Sequence, residues 1–312
     1  MLKVNNLSFK YEEKAVLNQL SFSVRPGDAL AIMGKSGSGK STLIKLLYGL
    51  LDSHEGSITW NDVKILGPAY HLVPGMSFMR YVAQDFDLMP YTTLYENIGY
   101  FLSNFDLKHK KEKIEELIQL VGLTDFTTRK ISTLSGGQMQ RAALAKALAS
   151  QPEILLLDEP FSHLDHPNKI RLSRAIFKFA KKNNITVIFA THIPEEALQF
   201  ADEVLVLHQG KIIFKGTPDE AYLTKNDVRV AQLFGDINEL SSTITEKLVV
   251  NDNIFRPHQL IISTKKGVAA TVLASYFTGE NYLIELLCEG QTVFVKSNVN
   301  LATNTKVFID IK

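Results

Sequence analysis

Residues 34–41 are Gly34-Lys35-Ser36-Gly37-Ser38-Gly39-Lys40-Ser41, between the apolar run at residues 30–33 and the helix-like residues 42–47. This order predicts a glycine-rich loop that joins a buried strand to a helix. Glycines let the backbone turn successive N–H groups inward, and the start of the helix adds partial positive charge. The loop is therefore expected to cradle phosphate oxygens, the alternative being a plain glycine-rich turn. Lys40 would then reach the β- and γ-phosphates of a nucleotide, and the Ser41 hydroxyl would bind Mg²⁺.

Three more apolar runs, at residues 154–157, 186–190 and 204–207, match the run that precedes this loop. Near-continuous apolar runs of this length are typical of strands buried on both faces. They alternate with segments of helical period from residue 2 to about residue 234, which predicts an α/β fold around one parallel sheet. Apolar spacing also predicts two amphipathic helices between residues 108 and 150. We expect these helices to form an inserted helical subdomain at about residues 84–150.

The sequence changes character after Gly235. Residues beyond it are rich in β-branched side chains, alternate at Tyr282, Ile284 and Leu286, and are punctuated by glycines. A small β-barrel or sandwich fits this pattern. We therefore expect one domain at residues 1–235 and a linker with a β domain at residues 236–312.

Two adjacent acids, Asp158 and Glu159, follow the apolar run at residues 154–157. Side chains alternate along a strand, so the two carboxylates are expected to point to different sides. The carboxyl end of a parallel strand is also the edge where open α/β sheets bind ligands. Asp158 is thus expected to hold Mg²⁺ while Glu159 polarises the attacking water, the alternative being a solvated acidic turn. His192 follows another strand to the same edge, within reach of a γ-phosphate.

A second glycine motif, Leu134-Ser135-Gly136-Gly137-Gln138, opens the helix that runs toward Ser150. Ser135 is a good N-cap, and the first N–H groups of the helix are expected to form a second anion site. Given both glycine motifs and the acid pair in this order, residues 2 to about 234 resemble the ATP-binding cassette (ABC) family, whose signature is Leu-Ser-Gly-Gly-Gln. The resemblance implies a P-loop NTPase cassette that binds ATP and Mg²⁺.

Further roles are implied by this resemblance alone. Gln84 matches the family's Q-loop glutamine, which contacts Mg²⁺ and water, and Tyr11 matches the aromatic residue that stacks on adenine. Residues 162–165 match the D-loop, although His163 stands where the family usually has a small residue. The expected catalytic residues are Glu159, His192 and Gln84, and the expected metal ligands are Ser41, Gln84 and Asp158. The expected nucleotide-binding residues are Tyr11, Gly34, Lys35, Ser36, Gly37, Ser38, Gly39, Lys40, Ser41, Thr42, Ser135, Gly136, Gly137 and Gln138.

The resemblance also implies partners. In the family, each ATP lies between the phosphate loop of one chain and the signature of a second copy, so a homodimer is expected. Residues 86–98 match the region that contacts the coupling helix of a membrane permease, with subdomain core as the alternative reading.

Residues 255–260 and the strands after them resemble the TOBE module, an OB-like fold attached to importer ATPases. This favours an importer for iron(III) or polyamine, served indirectly by an extracytoplasmic substrate-binding protein. His258 replaces the usual acidic residue, so a purely structural β module is the alternative.

Composition restricts the setting. The net charge of the 312 residues is +1, which gives no reason to expect nucleic-acid binding. No apolar stretch approaches the roughly 20 residues that span a bilayer, and the lone Cys288 and the lack of a signal-peptide pattern favour the cytoplasm. We expect a peripheral protein on the cytoplasmic face of the inner membrane. The alternatives are an ABC exporter ATPase and a non-transport cytosolic ABC ATPase.

Overall fold

Residues 1–83, 86–162, 164 and 166–312 are described by the computed structural model of the chain, with the backbone alone for residues 166–168. Packing of the described residues gives two compact units, Met1–Pro218 and Asp219–Lys312.

Two sheets form the framework of the first unit. Its strands are β1 (Leu2–Tyr11), β2 (Lys14–Val24), β3 (Ala29–Met33), β4 (Glu55–Trp60), β5 (Val63–Lys64), β6 (Met79–Val82), β7 (Ile154–Asp158), β8 (Thr186–Ala190), β9 (Glu203–His208) and β10 (Lys211–Gly216). Within the described ranges, the larger sheet has the order β10-β9-β3-β8-β7-β6, and all its neighbours are parallel except β9 and β10. An antiparallel sheet of order β2-β1-β4-β5 accompanies it.

The four apolar runs of the sequence occupy the centre of the larger sheet. Every residue of β3, β7 and β8 is buried, because these strands have neighbours on both edges and are covered on both faces. The predicted α/β fold with a parallel sheet is confirmed. The carboxyl ends of β3, β7 and β8 therefore lie side by side at one edge.

The helices of the first unit are α1 (Lys40–Tyr48), α2 (Leu94–Ile98), α3 (Leu107–Leu120), α4 (Gly136–Ala149), α5 (His166–Lys182) and α6 (Pro194–Phe200). The two helices predicted between residues 108 and 150 are α3 and α4. Within residues 86–98, Leu94 and Ile98 of α2 are fully buried, whereas Tyr91 is 81% exposed. This segment thus contributes to both the core and the surface. Among the described helices, none has the length and apolar character needed to cross a membrane.

The second unit, described without gaps, is mostly β. Its helices are α7 (Pro218–Leu223), α8 (Val228–Gln232) and α9 (Ser242–Leu248), and its strands are β11 (Asn238–Glu239), β12 (Ile254–Phe255), β13 (Leu260–Ser263), β14 (Val268–Phe277), β15 (Tyr282–Cys288), β16 (Gln291–Ser297) and β17 (Lys306–Ile311). An antiparallel sheet has the order β13-β17-β14-β15-β16, and its edge strands β13 and β16 contact each other, so it curls toward the small β-barrel that the sequence predicts. Ile284 and Leu286 face its core, as the alternation predicts.

The second unit begins earlier than the predicted boundary after residue 235, because one buried arginine ties α7 and α8 to the β strands. The Arg256 guanidinium donates hydrogen bonds to the carbonyls of Tyr222, Ala231 and Phe234, at 2.7–3.3 Å. The Arg256 Cζ also lies 3.9 Å from the centroid of the Tyr222 ring. These carbonyls near the helix ends accept hydrogen bonds from a side chain that is distant in sequence. Such a contact has no local sequence pattern, so the sequence did not predict this boundary.

Candidate functional site

The loop between β3 and α1 has a backbone that requires glycine. Gly34, Gly37 and Gly39 have φ of 148°, 77° and 106°, values that other residues rarely adopt. A Cβ at Gly34 would lie 2.3 Å from the Leu207 carbonyl oxygen, and one at Gly39 would lie 2.6 Å from Leu17 Cδ2. Gly34 and Gly39 therefore have no room for a side chain, whereas Gly37 needs glycine only for its backbone conformation.

The start of α1 combines open N–H groups with a buried cation. Its N-cap is Gly39, which has no side chain to bond the N–H groups of the first turn. Lys40 is 7% exposed, and its Nζ donates to the carbonyls of Gly34 at 2.9 Å and Lys35 at 3.2 Å. Burial lowers the pKa of Lys40, whereas the nearby Glu159 and Asp158 carboxylates act to raise it. Free N–H groups and a poorly solvated ammonium fit the phosphates of a nucleotide.

Asp158, the last residue of β7, contacts the start of α1. Its Oδ1 accepts a hydrogen bond from Ser41 Oγ at 3.0 Å, and the residue is only 5% exposed. Burial raises the pKa of Asp158, the Ser41 hydrogen bond lowers it, and the neighbouring Glu159 carboxylate raises it again. Two adjacent oxygen donors, one of them a buried carboxylate, match the ligands that Mg²⁺ prefers. The residues present thus fit a magnesium ion.

Glu159 leaves the strand in a strained backbone conformation. Its φ is 50°, in the left-handed region that costs a residue with a side chain on the order of 1–3 kcal/mol. The Glu159 N–H donates to the Ala190 carbonyl at 3.2 Å, which holds this turn against the end of β8. Glu159 Oε1 lies 3.3 Å from His192 Nδ1. The two adjacent acids therefore serve different partners, Ser41 and His192.

Several of these residues line one cleft of about 680 Å³, although Gly34 and Asp158 are not part of its lining. Its lining residues are Val16, Ser36, Gly37, Gly39, Lys40, Ser41, Thr42, Glu159 and His192. Val16 was not predicted, because an apolar residue in an alternating strand such as β2 carries no sign that it faces a ligand. The cleft brings together most of the phosphate loop with the predicted Glu159 and His192.

Several predicted residues lie elsewhere. Tyr11 is the last residue of β1, is 46% exposed and is not among the residues that line the cleft. Its ring meets the Phe9 ring edge-on, with 4.8 Å between the ring centroids. Ser38 is buried beneath the loop, and Lys35 is exposed. Gln84, like His163 and Asp165 of the expected D-loop, falls outside the described residues.

The predicted second anion site, at the start of α4, is capped by its own side chains. Ser135 Oγ accepts from the Gln138 N–H at 3.3 Å, and Gln138 Oε1 accepts from the Ser135 N–H at 2.8 Å. A Cβ added at Gly136 would meet no atom of the described residues within 4 Å. Residues 135–138 do not line the cleft of their own chain as described.

Comparison with known proteins agrees with this geometry. The family model described as ABC transporter matches residues 17–162. An Fe(3+) ions import ATP-binding protein of Haemophilus influenzae is 35% identical over 79% of this chain and 70% of its own length. A spermidine/putrescine import ATP-binding protein of Bacteroides thetaiotaomicron is 30% identical over 100% of this chain and 72% of its own length.

The chain belongs to the ABC transporter family. Within it, the chain is an ATP-binding subunit of the importer group, an ATPase coupled to transport. Among solved structures, the ABC cassette MJ0796, described as a dimeric post-hydrolysis state bound to ADP and Pi, is 27% identical with a TM-score of 0.62. That match covers 70% of this chain and 99% of the other. The cbiO1 protein of Clostridium perfringens, part of an ABC transporter complex, has a TM-score of 0.63 at 26% identity, over 74% of this chain and 94% of its own.

Proposed function

We propose that this ABC subunit works as a homodimer that closes around two ATP molecules and thereby powers a separate membrane permease. The observation that carries this proposal is the open space at Gly136, where nothing in the described part of the chain requires glycine. A glycine that its own fold does not need is explained if a group from outside approaches the backbone closely. The ATP held by a second copy is such a group, since it would meet a helix start that favours anions.

Within each site, the start of α1 would bind the β- and γ-phosphates through its N–H groups and Lys40. Ser41 and Asp158 would hold Mg²⁺, joined by Gln84, and the ion when bound neutralises charge that develops on the phosphate oxygens. Glu159 would accept the proton of the attacking water, and His192 would hold the γ-phosphate within its reach. The water oxygen then bonds to the γ-phosphorus as the bond from phosphorus to the bridging oxygen breaks, which yields inorganic phosphate and leaves the bridging oxygen on ADP.

The remaining predicted contacts complete the proposed dimer. Tyr11 would stack on adenine, and residues 135–138 of the second copy would cover the γ-phosphate. A helix start that closes over the γ-phosphate adds donors and excludes water, so bound ATP stabilises the closed pair and hydrolysis weakens it.

The proposed setting is the cytoplasmic face of the inner membrane. The exposed Tyr91 supports contact between residues 86–98 and a permease, since large apolar side chains at a surface often mark an interface. The names of the relatives support import, with iron(III) or polyamine as the proposed cargo, delivered by an extracytoplasmic binding protein. The net charge of +1 supports the absence of nucleic acid among its partners.

The decisive experiment is Glu159→Gln in the full chain. Removal of a general base is expected to lower ATP turnover by roughly 10²- to 10⁴-fold while ATP still binds. Size-exclusion chromatography with ATP and Mg²⁺ should then show a stable dimer, absent without ATP. The control is Glu203→Gln, whose carboxylate pairs with Lys215 at 2.7 Å away from the cleft and should leave turnover unchanged. A Glu159→Gln chain with wild-type turnover would disprove the catalytic assignment.

A further inference from the structure

The turn that carries His192 is held mainly by Thr191, the residue before it. The His192 side chain is 58% exposed, so packing does little to orient it. The contact of its Nδ1 with Glu159 Oε1, at 3.3 Å, therefore depends on where the backbone of residues 191–193 holds the imidazole.

Thr191 fixes both ends of this turn. Its N–H donates to the Ile32 carbonyl at 3.1 Å, which joins the turn to β3. Its hydroxyl accepts from the Ile193 N–H at 3.0 Å and donates to Glu196 Oε2 at 2.6 Å. The hydroxyl is used in both directions, and the residue is 1% exposed, so water cannot replace either bond.

Glu196 in α6 continues the chain of contacts to α5. Its carboxylate is 6% exposed, and its Oε1 lies 2.8 Å from Lys169 Nζ, which is 16% exposed. This contact is an ion pair whose geometry does not meet that of a hydrogen bond. Among the described residues, Glu196 Oε1 accepts no hydrogen bond. A buried carboxylate is tolerated only when it is paired, so its position follows that of the lysine. Lys169 belongs to the first turn of α5, the helix that follows residues 162–165 directly.

We propose that Glu196, through Thr191, is a positioning residue for His192 and makes that position depend on α5. None of the three linking residues lines the cleft, so none needs to touch ATP. A shift of Lys169 with α5 would move the Glu196 carboxylate and, through Thr191, the turn that carries His192. This inference rests on the proposed role of His192 in hydrolysis. It adds a link, inside one chain, between α5 and the proposed catalytic histidine.

The test compares Thr191→Val with Thr191→Ser in the full chain by steady-state ATPase kinetics. Valine keeps the shape and removes the hydroxyl, whereas serine keeps the hydroxyl. We expect Thr191→Val to lower kcat about 10-fold or more with KM for ATP within about twofold, because small displacements of catalytic groups affect chemistry more than binding. Thr191→Ser should keep kcat within about twofold of wild type. The control Glu203→Gln should match wild type.

A second pair of variants tests the far end of the link and leaves the residues of the turn themselves unchanged. Lys169→Met should lower kcat with KM retained, and Lys169→Arg should restore it. In the combined Thr191→Val and Lys169→Met variant, the loss should be smaller than the product of the two single losses, because both act through Glu196. If Thr191→Val does not fold, the two Lys169 variants test the proposal on their own. A lower kcat with an unchanged KM in Lys169→Met, restored in Lys169→Arg, would support it.

Two results separate the possible failures. Wild-type kcat in Thr191→Val and Lys169→Met, with Glu159→Gln inactive, would overturn the positioning role and leave the proposed function intact. Wild-type turnover in Glu159→Gln would overturn the proposed function itself. A fall in melting temperature with unchanged kcat would show that the link is structural only, which also contradicts the proposal.

Discussion

Two helices of the first unit begin with glycine-rich segments, and they use glycine for different reasons. Before α1, the glycines have positive φ and two of them leave no room for a Cβ. At the start of α4, Gly136 is helical and a Cβ there would meet nothing in the described residues. The first segment thus needs glycine to fold, whereas the second does not need it at Gly136.

The two helix starts also differ in how their N–H groups are satisfied. The cap of α1 is a glycine that offers no side chain, and a buried Lys40 lies over the loop. The cap of α4 is Ser135, which forms a reciprocal pair with Gln138. The α1 start is therefore left open within its own chain, whereas the α4 start is partly satisfied by its own cap, and we propose that it meets the ATP of a second copy. A glycine-rich motif therefore has to be interpreted position by position, according to whether the fold of its own chain requires glycine there.

Among the variants that test this comparison, the largest effect is expected from Lys40→Met, which removes the cation of the α1 start. ATP turnover should fall by roughly 10²- to 10³-fold, since a preorganised donor to a transition state contributes about that factor. Burial lowers the pKa of Lys40, so the ligand-free chain should become slightly more stable at neutral pH. ATPase assays and thermal melts measure both effects, with the exposed Lys64→Met as control. Equal loss in both variants would mean that Lys40 has no special role.

A matched pair of glycine substitutions tests the comparison directly. A Cβ at either Gly37 or Gly136 would meet no described atom within 4 Å, but only Gly37 has positive φ, at 77°. Gly37→Ala should lower the free energy of unfolding by about 1–2 kcal/mol because alanine is strained there. Gly136→Ala should raise it by up to about 1 kcal/mol because alanine favours helix. Urea titrations measure both, and shifts of the same sign would contradict the contrast.

The smallest effect concerns Asp158, the carboxylate beside the α1 start. Its pKa is raised mainly by burial, so the folded chain binds this proton more tightly than the unfolded chain does. Stability is therefore lost as pH rises from the usual aspartate range, about 3.9, through the raised pKa, and it stays lower at neutral pH. Asp158→Asn should make the ligand-free chain more stable at neutral pH, with the advantage shrinking as pH falls. Thermal melts across this range measure it, and an asparagine variant that is less stable at pH 7 would refute it.

Much of the framework was predictable because its signals are local. Apolar runs identified the buried strands, the spacing of Ile114, Leu117 and Ile118 identified the buried face of α3, and Ser135 identified the start of α4. What escaped prediction depends on distant partners. Arg256 reaches carbonyls 22 to 34 residues away, and Val16 faces the cleft only because β2 lies beside the phosphate loop.

The sequence was enough to predict which groups the proposed site uses. The order and spacing of residues in the phosphate loop, the acid pair and the signature indicate phosphate, metal and water contacts. Only the tertiary structure decided how these groups are held. It placed Glu159 at a φ of 50°, bonded Ser41 to Asp158, and joined Thr191 to Lys169 through a buried Glu196. The reason is physical: strand and helix signals act over a few residues, whereas burial and pairing of charges depend on segments that meet only after the chain has folded.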